Sequence, residues 1–352
     1  MVALARVLAW ARPKPTRSER GGHGRIALTA RQTFGLMALG FAAVLSTTGP
    51  ACAQSWPTRA ITLVVPFAAG GGTDAFARPI AQQLDTQLGQ RVLVENRAGA
   101  GGTAGAAFAA KADPDGYTFF VGATHHAIAP AIYPRLTYDF EKDFIPVAMI
   151  SRPPHVVVVH PKIQAKTLAD LIALAKAKPD TMTYGHAGIG TTHHMAGELF
   201  KLLTGTQIRQ VPYRGAGPAM TDLMAGQIDM AFDGLGSSAG QIAGGTIRAL
   251  AVAAPGRVAA FPDLPTAEET GVKGYDVATW YGLFVVKGTP KPIVDRMIQE
   301  VETALQAPAI REAWEKNGSD VPAVSGEAFG TFVSSEVKRW GKVVGDAGVK
   351  ME

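Results

Sequence analysis

Short apolar runs, each closed by a glycine-rich or small-residue turn and followed by a helical pattern, recur along the chain from residue 61 onward. This rhythm constrains the fold more than any other feature of the sequence. Ile61-Thr-Leu-Val-Val-Pro66 reads as a strand buried on both faces, and a helix is expected from about Thr73 to Leu88, ended by Gly89. Arg91–Glu95 is the next strand, a helix from about Thr103 to Lys111 follows, and Tyr117–Val121 is the third strand after the turn Asp113-Pro-Asp-Gly116. A strand–helix–strand alternation of this kind predicts a parallel sheet with helices on both faces.

The rhythm restarts after Pro154, with strands expected at Val156–Val159, Thr181–Tyr184, Ile208–Val211, Ile228–Phe232 and Arg248–Ala253, and helices at Thr167–Lys178 and Thr191–Leu203. A third block opens with Trp280-Tyr-Gly-Leu-Phe-Val-Val286 and ends in three helical segments, Lys291–Leu305, Pro308–Lys316 and Ser325–Asp346. Two α/β units result. The economical arrangement returns the last helices to the first unit, so the expected division is a first lobe of residues 54–154 and 279–352 and an inserted second lobe of 155–278. Two crossings between two lobes make a hinge.

Charge excludes one class of partner. The formal net charge is +5, from 34 basic and 29 acidic residues. Seven of those basic residues and one acid lie within residues 1–53, which leaves 27 basic against 28 acidic residues in the remainder. The basicity belongs to the N-terminus, so no nucleic-acid partner is expected. That N-terminus reads as a secretory leader: a basic stretch to Arg31, the apolar run Phe34–Leu45, and the small-x-small site Ala51-Cys52-Ala53, with cleavage near Ala53. Export of the unfolded chain to the periplasm is the expectation. Cys52 is the single cysteine, so the exported part has no disulfide, thiol nucleophile or cysteine metal site.

Ligands of open α/β sheets bind beyond the carboxyl ends of the strands, and the loops there carry the candidate chemistry. Pro66-Phe-Ala-Ala-Gly-Gly-Gly-Thr-Asp74 combines three glycines, which admit close backbone approach, with a helix start that offers free N–H groups to an anion. Thr73 or Asp74 is placed to cap the helix. Asp74 would repel a bound anion unless its carboxylate is tied to backbone N–H groups or meets a ligand amine. Gly99-Ala-Gly-Gly-Thr-Ala-Gly105 is a loose match to a dinucleotide fingerprint without the ribose-binding acid, and reads as a structural turn.

Gly122-Ala-Thr-His-His-Ala127 and Ala187-Gly-Ile-Gly-Thr-Thr-His-His194 each set hydroxyls and paired histidines at a sheet edge. Thr124, Thr191 and Thr192 suit a carboxylate, because hydroxyl and N–H donors converge without a formal charge. Adjacent histidines seldom point the same way, and zinc asks for three or four ligands, so no metal is expected and His125 or His126 is read as a neutral donor. Asp233 either caps the following helix or reaches the cleft. Arg214, in Val211-Pro-Tyr-Arg-Gly215, is either a bidentate carboxylate clamp or a solvated cation. No nucleophile elbow, His-Glu-x-x-His motif or cysteine nucleophile is present, so no enzymatic activity and no cofactor are expected.

Trp56-Pro-Thr-Arg59, Val65–Asp74, Val94–Gly102, Pro114-Asp-Gly-Tyr117, Gly197-Glu-Leu-Phe200, Val211–Gly215, Gly226-Gln-Ile-Asp-Met230, Pro265-Thr-Ala-Glu-Glu269 and Trp280-Tyr-Gly282 together resemble a known family. It is that of the periplasmic receptors of tripartite tricarboxylate transporters, often called Bug-type receptors. The resemblance implies a two-lobed, type II periplasmic-binding-protein (Venus-flytrap) fold, each lobe a mainly parallel sheet flanked by helices. It implies a receptor for a small carboxylate — a di- or tricarboxylate, an aromatic acid or an acidic amino acid — that serves membrane permease subunits, or a sensor protein in their place; a monomer is expected because the lobes must move. It places the ligand against Phe67, Ala69, Gly71, Gly72, Thr73 and Asp74 of the first loop and Thr124, His125 and His126 of the second. On the other lobe it places Gly188, Gly190, Thr191, Thr192 and His193, together with Tyr213 and Asp233.

Overall fold

The computed structural model describes residues 56–347. The expected leader and its cleavage site lie outside the described residues. No described helix is long and apolar enough to cross a membrane.

Among the described residues, ten strands form two five-stranded sheets. The first holds β1 (Ile61–Val65), β2 (Val92–Asn96), β3 (Thr118–Ala123), β4 (Phe144–Ser151) and β10 (Tyr281–Val286), in the order β2-β1-β3-β10-β4. The second holds β5 (His155–Val159), β6 (Thr183–His186), β7 (Arg209–Pro212), β8 (Met230–Gly234) and β9 (Arg248–Ala253), in the order β7-β6-β8-β5-β9. β1 runs parallel to β2 and β3, and β10 runs antiparallel to both β3 and β4. β6 likewise runs parallel to β7 and β8, while β5 is antiparallel to β8 and β9. Each sheet is therefore mainly parallel with one reversed strand, and that strand is the one on which the chain arrives from the other sheet.

Both faces of both sheets are covered, which is why the strands read as continuous apolar runs. On one face of the first sheet, Leu63 and Val65 pack against Phe76, Ile80 and Leu84 of α1 (Gly72–Leu88) and Met297 and Val301 of α8 (Lys291–Gln306). On the other face, Val64, Phe120 and Phe284 meet Ile128 of α3 (Thr124–Ile132) and Phe329 and Val333 of α10 (Gly326–Ala347). The second sheet is enclosed between Leu168 and Leu171 of α4 (Leu168–Ala177) with Phe200 of α5 (Thr192–Thr204) on one side, and Met220 and Leu223 of α6 (Ala216–Met224) on the other. A full-sized side chain of this kind is worth about 1.5–3 kcal/mol when buried.

Three elements depart from the sequence reading. Gly122 and Ala123 belong to β3, where Ala123 pairs with Tyr281, and Thr124 begins a helix instead of continuing a loop. Phe144–Ser151 is a strand and α6 is a helix, both left without structure by the sequence reading, whereas α7 (Leu235–Ala243) is the helix expected after Asp233. The glycine and proline of α6 mask its helical period. α2 (Thr103–Ala109) and α9 (Pro308–Lys316) complete the set.

Candidate functional site

The site is built where loops of the two sheets meet, on both sides of a two-strand crossing. His155 N–H donates to the Val277 carbonyl (2.8 Å), Thr279 N–H to the Pro153 carbonyl (3.2 Å), and Pro154 bridges Ala278. Side chains alternate along extended backbone. His155 and Thr279 therefore share one face, with His155 Nε2 2.7 Å from Thr279 Oγ1. Pro154 and Ala278 share the other, where they line a separate groove behind the crossing.

On the first sheet the polar side chains are tied down. α1 starts at Gly72 with Gly71 as its cap and no side-chain capping bond, so neither Thr73 nor Asp74 fills the capping role expected of it. Asp74 instead accepts from Gly70 N–H (3.1 Å), Asn96 Nδ2 (3.0 Å) and both Nε and Nη2 of Arg78 (2.8 Å each). Burial raises its pKa, but the hydrogen bonds from Arg78, Asn96 and Gly70 outweigh it and hold the carboxyl below its ordinary value. The acid is thus a staple for the glycine loop, and its charge is answered by Arg78 one turn along α1.

His126 turns away from the cleft. Its Nδ1 accepts from Ala123 N–H (3.0 Å), its Nε2 lies 3.4 Å from the Gly102 carbonyl, and its ring stands edge-on to Phe120. Burial pushes its pKa down to about 4 against the opposing pull of the Gly102 and Ala123 carbonyls, so it is a neutral cap for α3. Thr124 accepts from Trp280 N–H (2.9 Å), which locks the start of α3 to the second crossing.

His125 faces the second sheet. Its Nδ1 is 3.1 Å from Thr192 Oγ1 and accepts weakly from Thr192 N–H (3.4 Å), and Phe67 stands edge-on to its ring at 4.8 Å. The N-termini of α3 and α5 thereby confront one another across the cleft. Burial first, then the neighbouring rings of His126, His193 and His155, holds the His125 pKa well below the ordinary value. Thr191 caps α5, donating to the Gly188 carbonyl (2.7 Å) and accepting from His194 N–H (3.4 Å). His193 follows with its ring 4.9 Å from that of His155 and 6.2 Å from that of His125. Its Nε2 is 3.2 Å from Asp233 Oδ1, near enough for charge to matter yet off the line of a hydrogen bond.

Asp233 does not cap α7, whose cap is Gly234 without a side-chain bond; its Oδ2 accepts from Ser237 Oγ (2.7 Å). Tyr281, fully buried, completes this corner. A Cβ added to Gly72 would lie 2.2 Å from its hydroxyl, and one on Gly234 3.8 Å away. Burial and the Asp233 carboxylate drive the Tyr281 pKa far above its usual range.

The lobes meet along a glycine seam. A Cβ on Gly217 would lie 2.2 Å from the Ala69 carbonyl, and one on Gly71 3.4 Å from the Gly217 amide. A Cβ on Gly101 would lie 2.5 Å from the Ile189 carbonyl, and Gly188 (φ +124°) backs onto Gly101. Tyr133 donates to that Ile189 carbonyl across the seam (2.7 Å). Gly190 (φ +74°) lies against the Tyr133 ring. The 99–105 loop is therefore more than a turn, since it carries one side of the seam.

Tyr213 sits apart from the histidines. Its hydroxyl donates to Asp222 (2.7 Å), and its ring lines an open pocket of about 500 Å³ with Ala69, Gly70 and Gly217. Arg214 is exposed, and its carbonyl accepts from Ala68 N–H (3.4 Å). Sequence reasoning missed His155, Thr279 and Tyr281, and also Gly101, Tyr133 and Gly217. The first three lie on the crossings and the others on the seam. Among the described residues no group of three or more acidic, histidine or cysteine side chains is arranged to hold a metal ion.

Residues 76–349 match the tripartite tricarboxylate transporter family receptor. The chain belongs to that family. Among solved structures, this Bug-type receptor is similar to the periplasmic binding protein BugD, at 35% identity and a TM-score of 0.81, covering 84% of this chain and all of that one. It is similar to Rpa4515 of R. palustris with adipate, at 37% identity and a TM-score of 0.81, over 84% of this chain and all of the other. A third likeness is to MatC of Rhodopseudomonas palustris with bound malate, at 35% identity and a TM-score of 0.78, over 82% and all of the respective chains. The family is one of solute receptors, not of catalysts.

Proposed function

We propose that this chain is a periplasmic receptor that closes on a small carboxylate between its two lobes and delivers it to membrane permease subunits. The lobes are taken as residues 54–154 with 279–352, and 155–278. The observation that carries the reading is the convergence of α3 and α5 N-termini, joined by His125 and Thr192, at the place where loops of both sheets meet. Helix N-termini and neutral donors hold an anion without a buried cation, and the relatives with adipate and malate are carboxylate receptors of like fold. A ligand touched by both lobes favours the closed form, because only differential affinity for two states moves their equilibrium.

The test is a thermal-shift screen of the refolded, ligand-free protein with dicarboxylates, tricarboxylates, aromatic acids, acidic amino acids, sugars and zinc. A ligand at about 100 times its Kd adds roughly 2.7 kcal/mol. A rise with one carboxylate class is the expected result. A flat response to every carboxylate, with a rise for a sugar or zinc, overturns the reading.

A further inference from the structure

His193 is a buried polar group for which the fold supplies no hydrogen bond. Its side chain is about 5% exposed, and neither ring nitrogen makes a hydrogen bond, although Asp233 Oδ1 lies 3.2 Å from Nε2. Elsewhere in the same corner the bonds are made: His155 Nε2 is held by Thr279, His125 Nδ1 by Thr192, and Asp233 Oδ2 by Ser237. His155 Nδ1 is also without a bond of proper geometry, although the Phe232 carbonyl is near enough to favour its protonated form. Buried polar atoms are nearly always satisfied, and an unsatisfied one calls for a partner that the protein itself does not provide. Here the unsatisfied ring stands between His125 of one lobe and His155 and Asp233 of the other, at the mouth of the confronted helix N-termini.

Resting on the carboxylate-receptor reading, we infer that His193, positioned by the ring of His155, reads the end of the ligand remote from its anchoring carboxylate, and that the chain selects acids with a second hydrogen-bonding oxygen. An alkyl end closed into this corner leaves both nitrogens dry and unpaired. A hydroxyl at that end donates to a ring nitrogen. A second carboxylate accepts from an N–H of the ring. A site built to bond a polar group rejects an analogue lacking it far more strongly than an apolar pocket rejects an extra group.

The test is titration calorimetry of the purified, ligand-free receptor with matched four-carbon acids: butyrate, 3-hydroxybutyrate and succinate. The wild type is expected to bind one of the two difunctional acids roughly tenfold or more tighter than butyrate. Which one wins separates a hydroxyl from a carboxylate at the far end. In His193→Phe the ratio is expected to fall to within about threefold, and in His193→Gln, which keeps a donor and an acceptor, part of it is expected to return. In ¹⁵N-imidazole spectra, the His193 ring nitrogens are expected to shift with the preferred acid and not with butyrate. That readout needs no variant to fold. A ratio that persists in His193→Phe, or ring signals that ignore the preferred acid, overturns the inference and leaves the receptor reading standing. Absence of binding by all three acids and by the longer adipate overturns the inference, and the receptor reading falls with it only where the full carboxylate screen is flat as well.

Discussion

At the edge of the first sheet, Asp74 is held by Arg78, Asn96 and a backbone amide, His126 caps its own helix, and Thr124 is bonded to Trp280. At the edge of the second sheet, neither nitrogen of His193 makes a hydrogen bond, and Asp233, bonded through Oδ2 to Ser237, faces that ring with Oδ1 at 3.2 Å. The two sheets share one strand order, with the reversed strand in the same place, so the difference does not come from topology. It comes from the residues set on equivalent loops. On the proposed reading, the first lobe offers a cradle complete before anything binds, and the second offers waiting groups whose partners a ligand would supply. A closing receptor profits from that asymmetry, because bonds formed only in the closed, occupied state are the ones that drive closure.

Acid challenges the asymmetry most broadly. His126 of the first lobe and His186 of the second have pKa values pushed down to about 4, His126 by burial and His186 by burial together with neighbouring His194. The unfolded chain takes up their protons near the ordinary histidine value of about 6.5. Stability is therefore full above that pH and falls as pH drops towards 4, by about 1.4 kcal/mol per pH unit for each ring. Denaturant unfolding across this range is expected to show the loss, and His126→Phe and His186→Phe should each remove one ring's share of the slope. A slope that neither variant changes would place the acid-sensitive groups elsewhere.

Substitution of the two acids separates the lobes directly. Asp74→Ala strips a buried carboxylate from a charged and two polar partners, and is expected to cost about 3 kcal/mol of stability in denaturant titration. Asp233→Asn is expected to cost about 1 kcal/mol, because its one good bond is to a hydroxyl, while weakening ligand binding more than Asp74→Asn does. Equal stability losses would erase the distinction between cradle and waiting groups.

The seam supplies smaller effects. Gly217→Ala drives a methyl into the Ala69 carbonyl of the other lobe; calorimetry is expected to show affinity lower by about tenfold, or about 1.4 kcal/mol. Tyr133→Phe removes one bond that spans the lobes, for roughly 1 kcal/mol and about a fivefold loss of affinity. Arg214→Ala, at an exposed position, is expected to change affinity by less than about twofold.

The period of the sequence carried much of this architecture. Apolar runs such as Ile61–Val65 record a strand covered on both faces, and the Gly-rich stretches after them mark the loops that face the cleft, because burial and turn chemistry act on neighbouring residues. Where glycine and proline interrupted the pattern, as in Ala216–Met224, the helix was legible only in the structure. The choice of partner was less legible still. Asp74 has the same local setting whether it meets a ligand or Arg78, and His125 and His126 are adjacent, yet one turns to the cleft and the other to Gly102. His125 finds Thr192 at a separation of 67 residues, and His155 finds Thr279 at 124. Hydrogen bonds are short-ranged and directional. Which donor meets which acceptor is therefore decided by how distant segments are brought together, and local sequence holds no record of that. The sequence alone determined two α/β units, the loops at their edges and the kinds of side chain there; only the tertiary structure decided which of those side chains are bonded to one another and which are not.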